Sequence, residues 1–206
     1  MGGGTPTVLP AEALRGVLSP ISERLRSANG GAAQALRTSI GNSAGTLGWP
    51  EARGDWVRPG LALYGVSPFA DRTGADLGLQ PAMSLETTVI AVKRVLAGET
   101  VGYGGAWRAQ RASSIAILAA GYGDGLPRHL ESGSTVLVDG HGATLAGRVS
   151  MDMIAVDVTD LPPVAVGAPA TLWGAQLPVE RVAACAGTIP YELLCGVSQR
   201  VPLDLV

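Results

Sequence analysis

The pair Asp139-Gly140 stands between two β-rich runs in STVLVDGHGATLAGRVSMDMIAVDVTD, residues 134–160. Aspartate followed by glycine reverses a chain within two residues, so the runs on either side pair antiparallel as a hairpin. The surrounding sequence has the same texture. MSLETTVIAVKRVLAGETV alternates β-branched residues, SSIAILAAGYGDG reads as an apolar strand ending in a turn, and ATLWG is another short strand. PVERVAACAG and TIPYELLC read as short helices near the end. Residues 66–206 are therefore expected to form a β-rich, antiparallel, barrel-like domain.

Residues 1–65 read differently. PAEALRGVLSPISERLRSA, residues 10–28, has helical apolar spacing with a restart near Ser19-Pro20. LRTSIGNSAGTL gives a short strand running into a polar turn at Asn42-Ser43, and DWVRPGLALYGV a second strand broken at Pro59-Gly60. This is α/β rhythm. Two strands cannot close a parallel sheet or cover both its faces. The expectation is that another chain completes this part, or that the sequence belongs to a longer polypeptide.

A net charge of -2 without a basic cluster speaks against nucleic acid as partner. No window approaches twenty uninterrupted apolar residues, so no membrane span is expected. MGGGTPTVLP lacks the features of a secretion signal, and the cytoplasm is the expected location. Cys185 and Cys195 have neither C-x-x-C spacing nor a nearby histidine pair, and are expected as reduced core thiols. His129 and His141 are too few and too far apart for a metal site, so none is expected.

Two of the chain's four tyrosines sit in glycine turns: Tyr103 in ETVGYGGAW and Tyr122 in AAGYGDGLPRH. A tyrosine ordinarily packs its ring and wets its hydroxyl. A phenol framed by Gly102, Gly104 and Gly105 instead projects from a tight turn.

IGNSAGTLGWPEARGDWVRPGLALYGVSP, VGYGGAW, GYGDGLPR, GRVSMDMIAVDV, LWG and TIPYELLCGVSQRVP follow one another in this order. Together, from about residue 35 to 202, they resemble the C-terminal half of alanine racemase. The resemblance implies pyridoxal 5'-phosphate as cofactor, alanine as substrate and D-alanine supply for peptidoglycan as role. It also implies the last strands and helices of a (β/α)8 TIM barrel over 1–65, a β-rich domain over 66–206, and a head-to-tail homodimer with active sites between one subunit's barrel and the other's β domain. On this resemblance Ser43, the backbone of Gly60 and Leu61, and the Tyr191 hydroxyl hold the cofactor phosphate, and Arg58 donates to its pyridine nitrogen. A guanidinium does not release its proton, so that nitrogen stays unprotonated and the electron sink is weakened.

Racemisation removes a proton from one face of Cα and returns one to the other, so two acid/base groups must face each other across the substrate. By resemblance one is the Schiff-base lysine and the other is Tyr103. A free phenol has a pKa near ~10 and must be tuned downward to act as a base near neutral pH. The resemblance further implies that Tyr122 lines the site, that the Met151 N–H contacts the substrate carboxylate, and that Arg128 and Arg148 border the access corridor. Asp152 is a candidate to neutralise a nearby arginine. Trp49, Trp56, Trp107 and Trp173 read as packing or interface residues.

The chain has one lysine, Lys93, within an alternating strand. It does not match the Schiff-base lysine, so this sequence is expected to be a fragment that does not racemise alanine alone. A racemase of serine or other small amino acids, and a non-catalytic β domain complementing a separate barrel chain, are the alternatives.

Overall fold

The structure, a computed structural model, describes residues 37–205. The helix expected over 10–28 lies outside them. The chain divides into two compact units, Met1–Leu63 and Tyr64–Val206.

In the first unit, β1 (Ser39–Gly41) leads through Asn42 into helix α1 (Ser43–Gly48), followed by a 3₁₀ turn (Pro50–Ala52), β2 (Trp56–Val57) and helix α2 (Gly60–Leu63). Strands β1 and β2 pair in parallel, as a crossover connection allows. The polar turn expected at Asn42-Ser43 is instead a helix start. The Asn42 side chain accepts from the Gly45 N–H at 2.9 Å, the capping bond that asparagine supplies. Pro59-Gly60 ends β2 as expected and opens α2. Asp55, just before β2, accepts from the Thr38 N–H at 2.7 Å and from its hydroxyl at 3.2 Å. Those bonds, the backbone one foremost, hold its carboxyl below the usual range.

The second unit is built on a closed barrel. Its elements are a 3₁₀ turn (Ala75–Leu77), β3 (Leu85–Val95), β4 (Thr100–Val101), a 3₁₀ turn (Tyr103–Gly105), β5 (Trp107–Arg108), β6 (Ser113–Leu118), β7 (Thr135–Val138), β8 (His141–Leu145), β9 (Ile154–Asp157), β10 (Pro169–Trp173), α3 (Val179–Cys185) and α4 (Pro190–Gly196). Six strands close in the order β10-β3-β6-β9-β8-β7, and every neighbouring pair is antiparallel. Asp139 and Gly140 both have positive φ, 51° and 75°, the backbone a two-residue hairpin between β7 and β8 needs.

Period-two burial explains the core. Val136 and Val138 of β7, Ala143 and Leu145 of β8, Ile154 and Val156 of β9, and Ala170 and Leu172 of β10 are all buried. Ile115 and Leu118 of β6 and Leu85 and Val89 of β3 complete the filling. Trp173 is the largest fully buried side chain, whereas Trp56 is exposed. Lys93 is exposed on β3, opposite Ile115 in the ladder.

Cys185 and Cys195 are free and exposed, which corrects their expected place in the core. Helices α3 and α4 bury Val179, Val182, Ala183 and Leu193, and the cysteines fall on their outward sides. Among the described residues no helix is long and apolar enough to cross a membrane.

Helix α3 also anchors the segment that precedes the barrel. Glu180 Oε1 accepts from the N–H groups of Ser67, at 3.0 Å, and Gly74, at 2.8 Å, and both donors belong to buried residues. Glu180→Ala leaves these donors unpaired and is expected to cost about 2–3 kcal/mol, against roughly 1 kcal/mol for Glu180→Gln, which keeps an acceptor. Urea unfolding midpoints of the two variants check the order.

Candidate active site

Tyr103 lies at the tip of the short β4–β5 hairpin, and its side chain is exposed, with 68% of the residue's surface accessible. The turn requires its glycines: Gly102, Gly104 and Gly105 have φ of 79°, 68° and 59°. The hairpin is braced from behind. A Cβ on Gly102 would stand 3.3 Å from the Arg148 backbone nitrogen, and one on Gly147 would stand 3.0 Å from the Val101 carbonyl oxygen. Arg148 therefore starts beside the Tyr103 turn. Arg128 and Arg148, both exposed, line one open cleft of about 320 Å³ together with Ala106, His129, Glu131 and Ser132.

A second group forms where the Tyr122 turn meets the Met151 loop. The Tyr122 N–H donates to the Ser150 carbonyl at 2.9 Å and the Gly123 N–H to the Met151 carbonyl at 2.8 Å. The segments approach so closely that a Cβ on Gly121 would lie 2.3 Å from the Ser150 oxygen and 2.4 Å from the Met151 oxygen. Tyr122 and Met151 are partly exposed, and the Met151 N–H has no hydrogen-bond partner among the described residues. Tyr191, also exposed, follows Pro190 in the first turn of α4.

The neighbourhood contains a network that residue-by-residue reading missed. Arg200 donates from Nε to Asp124 Oδ1 and from Nη2 to Asp152 Oδ1, each at 2.8 Å, and from Nη2 to the Met151 carbonyl at 3.3 Å. It is the arginine that Asp152 neutralises. The carboxylates of Asp124, foremost, and Asp152 hold its proton more tightly than an ordinary arginine's. The signal available in sequence was Asp124 itself, a carboxylate inside a glycine turn.

The first unit carries the other candidates. Ser43, buried at the start of α1, accepts on Oγ from the Ala62 N–H at 3.1 Å, leaving its hydroxyl hydrogen as a donor. Arg58 Nη1 donates to the carbonyl and the hydroxyl of Ser39, both at 2.6 Å, while Nε and Nη2 have no partner among the described residues. The Gly60 N–H is taken by the Arg58 carbonyl at 2.9 Å, whereas buried Leu61 has an N–H without a partner among the described residues. A Cβ on Gly60 would meet no atom of the described residues within 4 Å. Among the described residues no cluster of His, Cys, Asp and Glu is arranged to hold a metal ion.

Residues 82–205 match the family described as alanine racemase, C-terminal domain, and residues 20–68 match the alanine racemase N-terminal domain. The chain belongs to the alanine racemase family. Alanine racemase of Nitrosococcus oceani is 51% identical over 185 residues, covering 90% of this chain and 51% of the relative. The biosynthetic alanine racemase of Pseudomonas aeruginosa superposes with a TM-score of 0.83 at 47% identity, covering 93% of this chain and 50% of that one. The alanine racemase of Bartonella henselae, solved with covalently bound pyridoxal phosphate, gives a TM-score of 0.73 at 34% identity, over 88% of this chain and 51% of that one. The chain spans about half the length of the alanine racemases it matches. Its architecture is a six-stranded antiparallel barrel, the C-terminal domain of the family, preceded by a short α/β piece of the N-terminal domain.

Proposed function

We propose that this chain supplies one half of a pyridoxal-phosphate-dependent racemase that interconverts L- and D-alanine, and that it is inactive without a lysine-bearing barrel. The observation that carries this reading is the exposed phenol of Tyr103 on a glycine-framed turn. A side chain presented outward is suited to act in a pocket built by another part of the protein, here the barrel of a partner subunit in a head-to-tail homodimer.

The residues of the first unit fit the cofactor. Arg58 is held by Ser39 through one nitrogen and has others left to donate to a ring nitrogen. Among the described residues the Ser43 hydroxyl hydrogen and the Leu61 N–H remain as phosphate donors, and no described atom fills the space beside Gly60. The Gly60 N–H serves the Arg58 carbonyl, so the role of Gly60 is to leave room rather than to donate. The Tyr191 hydroxyl adds a further phosphate contact. When bound, the cofactor supplies the electron sink that acidifies the proton on Cα of the amino acid.

Around that atom the chain's own groups divide the work. The Met151 N–H binds the substrate carboxylate, and the exposed ring of Tyr122 lines the site. The Tyr103 oxygen removes or returns the proton on one face of Cα. Arg128 and Arg148 border the corridor and raise the local concentration of anionic carboxylates. The opposite face requires a lysine amine, and Lys93, exposed on a barrel strand, does not match that role.

Production of D-alanine from L-alanine with added pyridoxal phosphate tests the reading. The chain joined to, or mixed with, a barrel that bears the cofactor lysine is expected to racemise, and the chain alone is not. Racemisation by the chain alone at the rate of the joined protein, or none by either, overturns the proposal. L-Serine in the same assay separates the alternative substrate.

A further inference from the structure

Arg200 joins three segments that are distant in sequence. Asp124 and Asp152 lie 76 and 48 residues before it. Asp124 is shared between the turn and the arginine: Oδ2 accepts from the Gly121 N–H at 2.7 Å, Oδ1 from Arg200, and its carbonyl from the Ser198 N–H at 3.1 Å. The Met151 carbonyl is shared likewise, between the Gly123 N–H and Arg200 Nη2. The guanidinium lies directly on the glycine of the Tyr122 turn, where a Cβ on Gly123 would stand 2.5 Å from Nη2. The C-terminal segment is pressed against the same turn, since a Cβ on Gly125 would be 2.5 Å from the Gly196 carbonyl oxygen.

We infer that Arg200 is a positioning residue: by bridging Asp124, Asp152 and the Met151 carbonyl it fixes the turn that carries Tyr122 against the loop that carries the Met151 N–H. The inference rests on the proposed reading of the Met151 N–H as the group that binds the substrate carboxylate and of Tyr122 as a residue that lines the site. A planar fork with several donors serves three acceptors at set angles, which a single ammonium cannot reproduce. Arg200 touches no reacting atom in this scheme. It acts through the loop it ties down.

Two measurements test it. In the 206-residue chain, Arg200→Met is expected to speed amide hydrogen exchange at Gly121 and Gly123 by about tenfold or more, while amides in β6 and β9 keep their protection. In the holoenzyme that includes the lysine-bearing barrel, Arg200→Met is expected to lower kcat/KM for alanine by roughly 10- to 100-fold, chiefly through KM. Arg200→Lys is expected to restore only part of that loss. Unchanged exchange at Gly121 and Gly123, full recovery by Arg200→Lys, or a lowered melting temperature with KM unaltered would each overturn the inference. Where Arg200→Met does not fold, Asp152→Ala removes one arm of the bridge and is judged by the same exchange readout. An enzyme that depends on Tyr103 but is indifferent to Arg200→Met sinks this inference alone. An enzyme indifferent to Tyr103→Phe sinks the active-site reading, and the exchange data still decide whether Arg200 holds the loop.

Discussion

Tyr103→Phe, made in the holoenzyme that unites this chain with a lysine-bearing barrel, is expected to slow racemisation by roughly 10²- to 10⁴-fold, the scale of a lost general acid/base. The substitution removes one oxygen from an exposed ring and leaves the glycine frame of the turn intact, so folding and cofactor absorbance should be unchanged. Because L- and D-alanine have equal free energies, kcat/KM must fall equally in both directions. The one-sided signature is isotopic. In deuterium oxide, the enantiomer whose α-proton faces the lysine should still exchange that proton without inverting, and the other enantiomer should not. Undiminished turnover, or exchange lost equally from both enantiomers, would remove Tyr103 from the reaction.

The second large effect is structural. Gly121→Ala would drive a methyl group to within 2.3–2.4 Å of two backbone carbonyl oxygens, and neither can turn aside without breaking the pairing of the Tyr122 turn with the Met151 loop. A loss of about 3 kcal/mol is expected, at the upper end of what overpacking usually costs. Gly142→Ala is the comparison, since a Cβ there would meet only Thr135 Cγ2, at 3.8 Å, within the β7–β8 ladder. That change is expected to stay within about 0.5 kcal/mol of the parent. Denaturant unfolding of both variants measures the difference. Equal stabilities would mean that the 121–151 approach is looser than described.

Sequence carried the parts of the fold that depend on neighbours along the chain. Asp139-Gly140 marked its hairpin because the demand for positive φ is local, and PVERVAACAG and TIPYELLC were legible as the short helices α3 and α4. Asn42-Ser43 misled because the side chains that favour turns are also those that cap helices. The bond pattern that closes the barrel, with β10 between β3 and β7, joins distant strands and leaves no signature in any short window. Of the candidate site, Tyr103 and Tyr122 were legible through their glycines. The Arg200 bridge was not, because its partners are separated by tens of residues and each alone reads as an ordinary surface charge. The exposed cysteines had no local marker either, since composition predicts how often a thiol is buried but not which side of a helix it occupies.

Closure of the six strands has a further consequence. A ring of strands offers no row of unpaired N–H and C=O groups to a stray chain, so the six barrel strands are protected against edge-to-edge polymerisation by their own connectivity. Among the described strands, the β1–β2 pair of the first unit and the β4–β5 hairpin of the second lie outside that ring, so pairing between chains should begin at these short strands rather than at the barrel.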